Sequence, residues 1–122
     1  MRAAPRLTAT SDWLDFRVDD CHGRRVGAVA GIYEDEHGAP AWFLVRLGMF
    51  SSRYVFVPPA DVLAGGGRVC LPYQRATIEG APVLFAPPSE VAAALEQRLR
   101  RHFRLDADGP REVRVSARRS VA

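Results

Sequence analysis

Two stretches decide the fold of this chain: VGAVAGI at residues 26–32 and AWFLVRL at residues 41–47. In the first stretch, every second residue is apolar and shares one face of a strand, while Gly27 and Gly31 fall on the other face. Glycine at such positions lets the strand coil tightly or lets another backbone approach closely. The second stretch is largely apolar on both faces, which predicts a central strand. Turn-forming residues at 34–40 separate the two, so we predict a hairpin.

Three further strands have the same kind of boundaries. We predict a first strand at residues 16–18, a fourth at 53–57 that stops at a proline pair, and a fifth at 68–73 after a glycine triplet. The second proline of the pair cannot donate to a strand ladder, so the fourth strand ends there. Short strands at intervals of roughly 8–12 residues are typical of a small barrel or sandwich. We therefore expect a mainly β fold, a small barrel of five to six strands.

The spacing of apolar residues changes towards the C-terminus. Ser89 is a suitable N-cap, and Glu90 complements the dipole of a first helical turn. From there, apolar residues recur every four positions on an otherwise arginine-rich segment, which is typical of an amphipathic helix. The apolar stripe consists of Val91, Leu95, Leu99 and Phe103. We predict one C-terminal helix over residues 90–105 that packs on or beside the barrel.

The length of 122 residues suits one hydrophobic core, so we expect one domain. Residues 1–11 show no periodicity and are predicted to be a flexible lead. The barrel domain covers residues 12–85, and the helix with the segment leading into it covers residues 86–105. Residues 106–122 are a basic tail, in which the alternation around Val113 and Val115 permits an extra strand or a disordered end.

Composition excludes several classes of protein. Apolar residues make up 48% and charged residues 25% of the chain, as in ordinary globular proteins and unlike disordered ones. No apolar run approaches the roughly 20 residues that span a bilayer, and the N-terminus lacks the apolar block of a secretory signal. We therefore expect a cytoplasmic protein with no membrane span. Cys21 and Cys70 lack CxxC spacing, so reduced thiols are the simpler interpretation, with a pairing left open.

In their order and spacing, these segments resemble the PRC-barrel family, named for the cytoplasmic domain of the photosynthetic reaction-centre H subunit and shared with the ribosome maturation factor. The resemblance covers residues 12–105 and includes the helix that follows the barrel in stand-alone bacterial members. It implies a docking module, because in both namesakes the barrel contacts a larger assembly. Neither namesake function transfers, since we expect no counterpart here of the membrane helix of the one or the preceding domain of the other. The matching segments are residues 23–29, 33–35, 40–50, 55–58, 69–73 and 81–82.

Patterns for catalysis or metal binding are weak. Cys21-His22, together with His37, offers a thiol and two imidazoles, but the paired ligands at short spacing that metal sites show are lacking. The acidic cluster at residues 34–36 suits a solvated hairpin tip better than acid–base work or a cation site. The sequence contains no P-loop, dinucleotide fingerprint, nucleophile elbow or His-Glu metal helix. We therefore expect a protein that is not an enzyme and has no cofactor and no metal.

Aromatic and arginine side chains are the candidates for an interaction surface. Aromatic residues anchor interfaces at low entropic cost, although they also fill cores. Arginines on the predicted helix, with those of the tail behind them, form a basic face that either binds phosphates or remains solvated. The candidate surface consists of Trp42, Phe50, Tyr54, Phe56, Arg98, Arg101 and Arg104.

The distribution of charge points to a partner. All seventeen basic residues are arginine and the net charge is +3. Residues 12–36 carry seven acidic residues against three arginines, whereas residues 96–122 carry eight arginines against four acidic residues. Such asymmetry can orient a partner or a second copy. We predict a non-catalytic protein-interaction module that self-associates, with a protein partner of unknown identity. The alternatives are an RNA- or ribosome-associated factor using the arginine-rich C-terminal region, and a small-molecule or metal-handling protein.

Overall fold

A computed structural model describes residues 3–8 and 12–105 of the chain. Within these ranges the protein is mainly β, with seven strands in one sheet and two helices. The predicted mainly β class is thus confirmed, with a strand and a helix more than expected. The elements are β1 Arg6–Leu7, β2 Arg17–Asp19, β3 Arg25–Glu34, β4 Pro40–Leu47, β5 Tyr54–Val57, β6 Leu63–Gly65, β7 Arg68–Cys70, α1 Arg75–Glu79 and α2 Ala93–His102.

The strands follow the order β5-β4-β3-β2-β7-β6, and β1 pairs with β3 beside this path. Strands β2 and β7 run parallel, while every other described pair is antiparallel. In the described ranges no ladder joins the two edge strands β5 and β6, so backbone pairing does not close the sheet. Two of the strands, β1 and β6, were not expected from the sequence, because segments of two and three residues are too short to show a period.

The β3–β4 hairpin is the centre of the sheet, as the sequence predicts. Its two strands approach so closely that a Cβ built on Gly27 overlaps the carbonyl oxygen of Arg46. At Gly31 the same construction brings the added atom to 2.8 Å from the Cδ1 of Leu7 in β1. The predicted close approach of a backbone is therefore confirmed at Gly27, whereas at Gly31 the close neighbour is a side chain of β1.

Strand β4 is buried on both faces, which confirms the prediction of a central strand. Phe43, Val45 and Leu47 lie on its inner face and are at most 3% exposed. Trp42 and Leu44 lie on its outer face and are equally buried. The inner face belongs to one core cluster with apolar residues of β2, β3, β5 and β7, among them Val18, Val29, Val55, Val57 and Val69.

The C-terminal helix begins later than the sequence predicts. It spans Ala93–His102 with Ala92 at the N-cap position, and Ser89 is not the cap. Ser89 instead accepts a hydrogen bond from the N–H of Leu7 at 3.0 Å, and the N–H of Val91 donates to Pro5 at 2.8 Å. The residues just before α2 are therefore held in an extended pairing with the N-terminal segment, which prevents them from starting the helix.

The predicted apolar stripe is nevertheless buried. Val91, Leu99 and Phe103 belong to the core, and Leu95 packs against it. Val91 lies before the start of α2 and reaches the core from the extended segment. Its spacing of four residues from Leu95 matches the helical pattern only by coincidence.

Segment 88–103 covers the outer face of β3 and β4. The Tyr33 hydroxyl donates to the carbonyl oxygen of Pro88 at 2.5 Å, and burial raises the pKa of Tyr33 to about 12. The indole Nε1 of Trp42 donates to Oε2 of Glu96 at 2.8 Å. These bonds satisfy the polar ends of two buried aromatic side chains, as buried polar groups require.

Other boundaries differ from the predicted organisation. Strand β1 lies in the predicted flexible lead, where it pairs with Tyr33 and Glu34. Helix α1 follows the last predicted strand, inside the predicted barrel domain, where five residues are too few for an amphipathic pattern. The tail at residues 106–122, including the predicted extra strand, lies outside the described residues. No helix within 3–8 and 12–105 is long and apolar enough to cross a bilayer.

We predict that Gly27→Ala lowers the free energy of unfolding by about 1–3 kcal/mol or more, because the added methyl group forces β3 and β4 apart. Gly65→Ala is the matched control, since a Cβ at Gly65 meets no atom within 4 Å. The control is expected to change stability by less than about 0.5 kcal/mol. Urea unfolding of both variants measures the difference, and equal losses would contradict the close packing at Gly27.

Candidate interaction surface

The structure separates the four aromatic candidates into two pairs. Trp42 and Phe56 are core residues, and the Phe56 ring lies edge-on against Tyr33 at a centroid distance of 4.8 Å. Neither side chain presents a surface to a partner in this structure, because both are at most 2% exposed. Tyr54 is half-buried at the start of β5, and Phe50 is 96% exposed in the turn before it. The exposed aromatic surface is thus restricted to the turn end of β5.

Other apolar side chains join Phe50 at this end. Met49 is 57% exposed in the same turn, which closes through a hydrogen bond from the Leu47 N–H to the Arg53 carbonyl at 2.9 Å. Leu84 exchanges two backbone hydrogen bonds of 2.8 Å with Tyr54, so its neighbour Phe85 lies across from Arg53. Phe85 is 71% exposed. Met49, Phe50 and Phe85 are therefore three exposed apolar side chains at the turn end of β5.

The three candidate arginines of the predicted helix do not all lie at one site. Arg98 and Arg101 line an open cleft between α2 and the segment after α1, together with His102, Gly80 and Pro82. Arg104 follows α2 in a left-handed conformation with φ 59° and does not line the cleft. The cleft is suited to an anion, because two arginines line it.

His102 is held in place by the α1 end of the cleft. Its Nε2 lies 2.7 Å from the carbonyl oxygen of Thr77, which can only accept, so this nitrogen carries the proton. The imidazole ring also meets Phe103 edge-on at 4.9 Å. Sequence reasoning did not include His102 in the candidate surface, because a single histidine at the end of a helix carries no motif.

Two buried carboxylates were also missed by sequence reasoning. Asp19 and Asp20 are at most 2% exposed. The Oδ1 of Asp19 accepts a hydrogen bond from the Nε of Arg17 at 2.6 Å. Its Oδ2 is buried without a hydrogen-bond donor among the described residues, and Nη1 of Arg68 lies 3.9 Å away. A guanidinium group lies close to each oxygen of this carboxylate.

Asp20 organises the backbone around it. Its Oδ1 accepts from the N–H groups of His22 and Arg24 at 2.9 and 2.8 Å, and its Oδ2 accepts from the N–H of Arg75 at 3.3 Å. Arg75 is the first residue of α1, and Gln74 supplies no side-chain cap. The carboxylate therefore joins the β2–β3 turn to the start of α1. A signal for this role exists in the sequence, since an aspartate before a glycine-containing turn typically accepts bonds from the following N–H groups.

The charge of Asp20 is stabilised in the fold. Burial on its own raises the pKa of a carboxyl group, but the hydrogen bonds from Arg24, His22 and Arg75 and the positive charge of His22 together hold the pKa of Asp20 below its ordinary value of 3.8. Carboxylates that accept several backbone N–H bonds commonly behave in this way.

The remaining candidate groups do not form a site. Cys21 is exposed and Cys70 half-buried, and both are free thiols. The N–H of His22 bonds to Asp20, whereas the N–H of His37 bonds to Asp35 in the hairpin tip. Within residues 3–8 and 12–105, no group of three or more histidine, cysteine or acidic side chains is placed to hold a metal ion.

No model of a known protein family matches the chain, and no curated protein is significantly similar to it. The geometry of the surface is therefore the basis for a functional proposal.

We predict that Asp20→Asn lowers the melting temperature at pH 7, because the amide removes the charge and an acceptor that hold the turn and α1 together. A group whose pKa is depressed by folding stabilises the fold above its unfolded pKa, and this contribution is lost as the pH falls through the folded pKa. The difference between wild type and variant should therefore shrink below pH 3.8. Thermal unfolding followed by circular dichroism measures it, with the exposed Asp12→Asn as control. A difference that stays constant into strong acid would contradict the assigned role.

Proposed function

We propose that this protein is a non-catalytic protein-interaction module that associates through the apolar patch of Met49, Phe50 and Phe85. The observation that carries the proposal is the exposure of Phe50, 96% of whose side-chain surface faces solvent in a turn closed by backbone hydrogen bonds. A phenylalanine in such a position contributes nothing to the core of its own chain.

Composition supports a protein partner for this patch. Phenylalanine, methionine and tyrosine are enriched in the buried centres of protein interfaces. Exposed apolar residues that lie together, unlike isolated ones, commonly mark binding sites. The patch also stands on ordered backbone, because Leu84 pairs with Tyr54 on one side and Leu47 with Arg53 on the other. A rigid apolar anchor of this kind loses little conformational entropy on binding.

A second copy of the chain is the partner we propose first. In a two-fold dimer the same patch of each copy lies at the interface. An apolar patch without charges can therefore pack against its counterpart without like-charge repulsion. The charge asymmetry between residues 12–36 and 96–122 supports an oriented approach of two copies.

We also propose that the curved sheet is a PRC-type barrel and that the protein is a stand-alone bacterial member of that family acting in the cytoplasm. The burial of β4 on both faces supports the barrel, since its inner residues pack against valines from four other strands. The helix after the strands supports the same assignment.

A second candidate function is an RNA- or ribosome-associated factor that binds through its C-terminal arginines. The observation that favours it is the open cleft in which Arg98, Arg101 and His102 converge. Convergent cationic groups of this kind bind phosphates. Loss of salt-sensitive RNA binding on neutralising Arg98, Arg101 and Arg104 would support this function.

We expect the wild-type protein to form dimers or larger species as its concentration rises in sedimentation velocity experiments. Phe50→Ser combined with Phe85→Ser should raise the dissociation constant about tenfold or more, because aromatic anchors supply a large share of interface energy.

Leu63→Ser is the matched control, since Leu63 is 73% exposed on the opposite edge strand β6. It should associate like the wild type. Two results together would contradict the proposal. One is a strictly monomeric mass of the wild type at every concentration, and the other is the absence of any protein that binds the wild type but not the double variant. Equal weakening by the control would place the interface elsewhere.

A further inference from the structure

Three arginines lie in one row across the sheet. Residues directly opposite each other in neighbouring strands share a face, so the registers define a continuous line of side chains. Arg46 in β4 pairs with Ala28 in β3, Ala28 pairs with Arg17 in β2, and Arg17 pairs with Arg68 in β7. At one end the row continues to Tyr54, which pairs with Arg46.

The row is the part of the outer face that segment 88–103 does not cover. Along β4, Trp42 and Leu44 are buried on this face, whereas Arg46, the next residue with the same orientation, is partly exposed. The side chain of Arg68 is 57% exposed and that of Arg17 is 33% exposed. Ala28 is buried between the flanking arginines. All three arginine side chains along the row are therefore at least partly exposed.

This arrangement works against the stability of the sheet. Like charges opposite each other on neighbouring strands are destabilising, and Arg17 and Arg68 are such a pair. Asp19 offsets part of this repulsion, because its Oδ1 accepts from Nε of Arg17 at 2.6 Å. That bond leaves the two terminal nitrogens of Arg17 unbound by the carboxylate. Among the described residues, Arg46 has no acidic side chain within ion-pair distance.

The row of arginines is longer than the binding site of one small anion. Neighbouring strands lie about 4.8 Å apart, so the Cα atoms of Arg68 and Arg46 are separated by three spacings, or about 14 Å. The ligand that suits the row is a flexible chain with anionic groups along its length. Arginine is well matched to phosphate, because its planar guanidinium group can donate two parallel hydrogen bonds to it.

We propose that the row binds the phosphate groups of a single-stranded nucleic acid. Surfaces that bind single strands combine a line of cationic groups with aromatic side chains on which bases stack, and Tyr54 stands at the end of the arginines. The proposal goes beyond the apolar patch, because it uses other residues and another class of ligand. It shares its ligand class with the second candidate function but not its site.

The test is fluorescence anisotropy of the full chain with a labelled oligouridylate of about 12 nucleotides, a length within the range of single-strand sites. The main variant is Arg46→Gln combined with Arg68→Gln, which leaves the buried Arg17–Asp19 pair intact. The matched control is Arg24→Gln combined with Arg53→Gln, which removes two exposed arginines from turns. Circular dichroism verifies that each variant is folded.

The row variant should lose both affinity and salt dependence. Each phosphate contact to a single strand contributes about 0.7 to the slope of log affinity against log salt, so the slope should become shallower by about 1.4. Between about 50 and about 200 mM salt, the wild type should therefore lose about sevenfold more affinity than the variant. The turn control should keep the wild-type slope.

Two further variants separate charge from geometry. Arg46→Lys combined with Arg68→Lys should retain the wild-type slope, because lysine still binds phosphate as a point charge. Tyr54→Leu should weaken binding about fivefold without changing the slope, since stacking on the ring carries no charge.

Several outcomes would overturn the proposal. Absence of binding at about 50 mM salt, where electrostatic contacts are strong, is one of them. Equal losses in the row variant and the turn control would mean that binding follows net charge alone. Loss on neutralising Arg98, Arg101 and Arg104, with the row variant unaffected, would move the site to α2. Displacement of the RNA by an equal concentration of oligoglutamate would assign the row to an acidic protein segment.

Discussion

Strand β4 carries apolar residues on both faces, so each face needs residues that pack against it. The arrangement of the other elements depends on this requirement. Its inner side packs against other strands, while its outer side needs a cover that a single sheet cannot supply. Segment 88–103 is that cover, and its Leu99 and Phe103 belong to the same core cluster as Trp42 and Leu44. Each large side chain buried in this way contributes about 1.5–3 kcal/mol to stability.

Polar contacts determine where the cover lies. Apolar packing is not directional, and it would tolerate small shifts of the helix across the strand. The bonds from Tyr33 to Pro88 and from Trp42 to Glu96 define one position, because a shift would leave a buried hydroxyl or indole N–H without an acceptor. At the other end, Asp20 holds the start of α1 through the N–H of Arg75.

The surface chemistry follows from where this cover ends. Alternation along β4 places Trp42 and Leu44 beneath segment 88–103, and it places Arg46 on the same face outside it. Among the residues described up to position 105, none covers Phe50 at the β4–β5 turn, although Leu84 pairs with Tyr54 close by. Two surfaces of different character therefore lie near Tyr54, one apolar and one cationic. Both are supported by strands and short turns, so their side chains are presented on a rigid base.

The amino-acid sequence by itself determined the mainly β class, the β3–β4 hairpin, the two-sided burial of β4 and the apolar stripe ending at Phe103. It also predicted the close approach at Gly27. These features depend on alternation, turn chemistry and the size of one residue, all of which act between near neighbours in the chain.

Only the tertiary structure decided the features that join distant segments. The pairing of residues 5–7 with residues 89–91 delayed the start of α2, although Ser89 is a good N-cap on local grounds. The burial of Trp42 and Phe56, rather than of Phe50, depends on which face segment 88–103 covers. The row of Arg46, Arg17 and Arg68 depends on the registers of three ladders. Register is a relation between strands that are far apart in the chain, and a shift of one residue would turn each of these side chains to the opposite face.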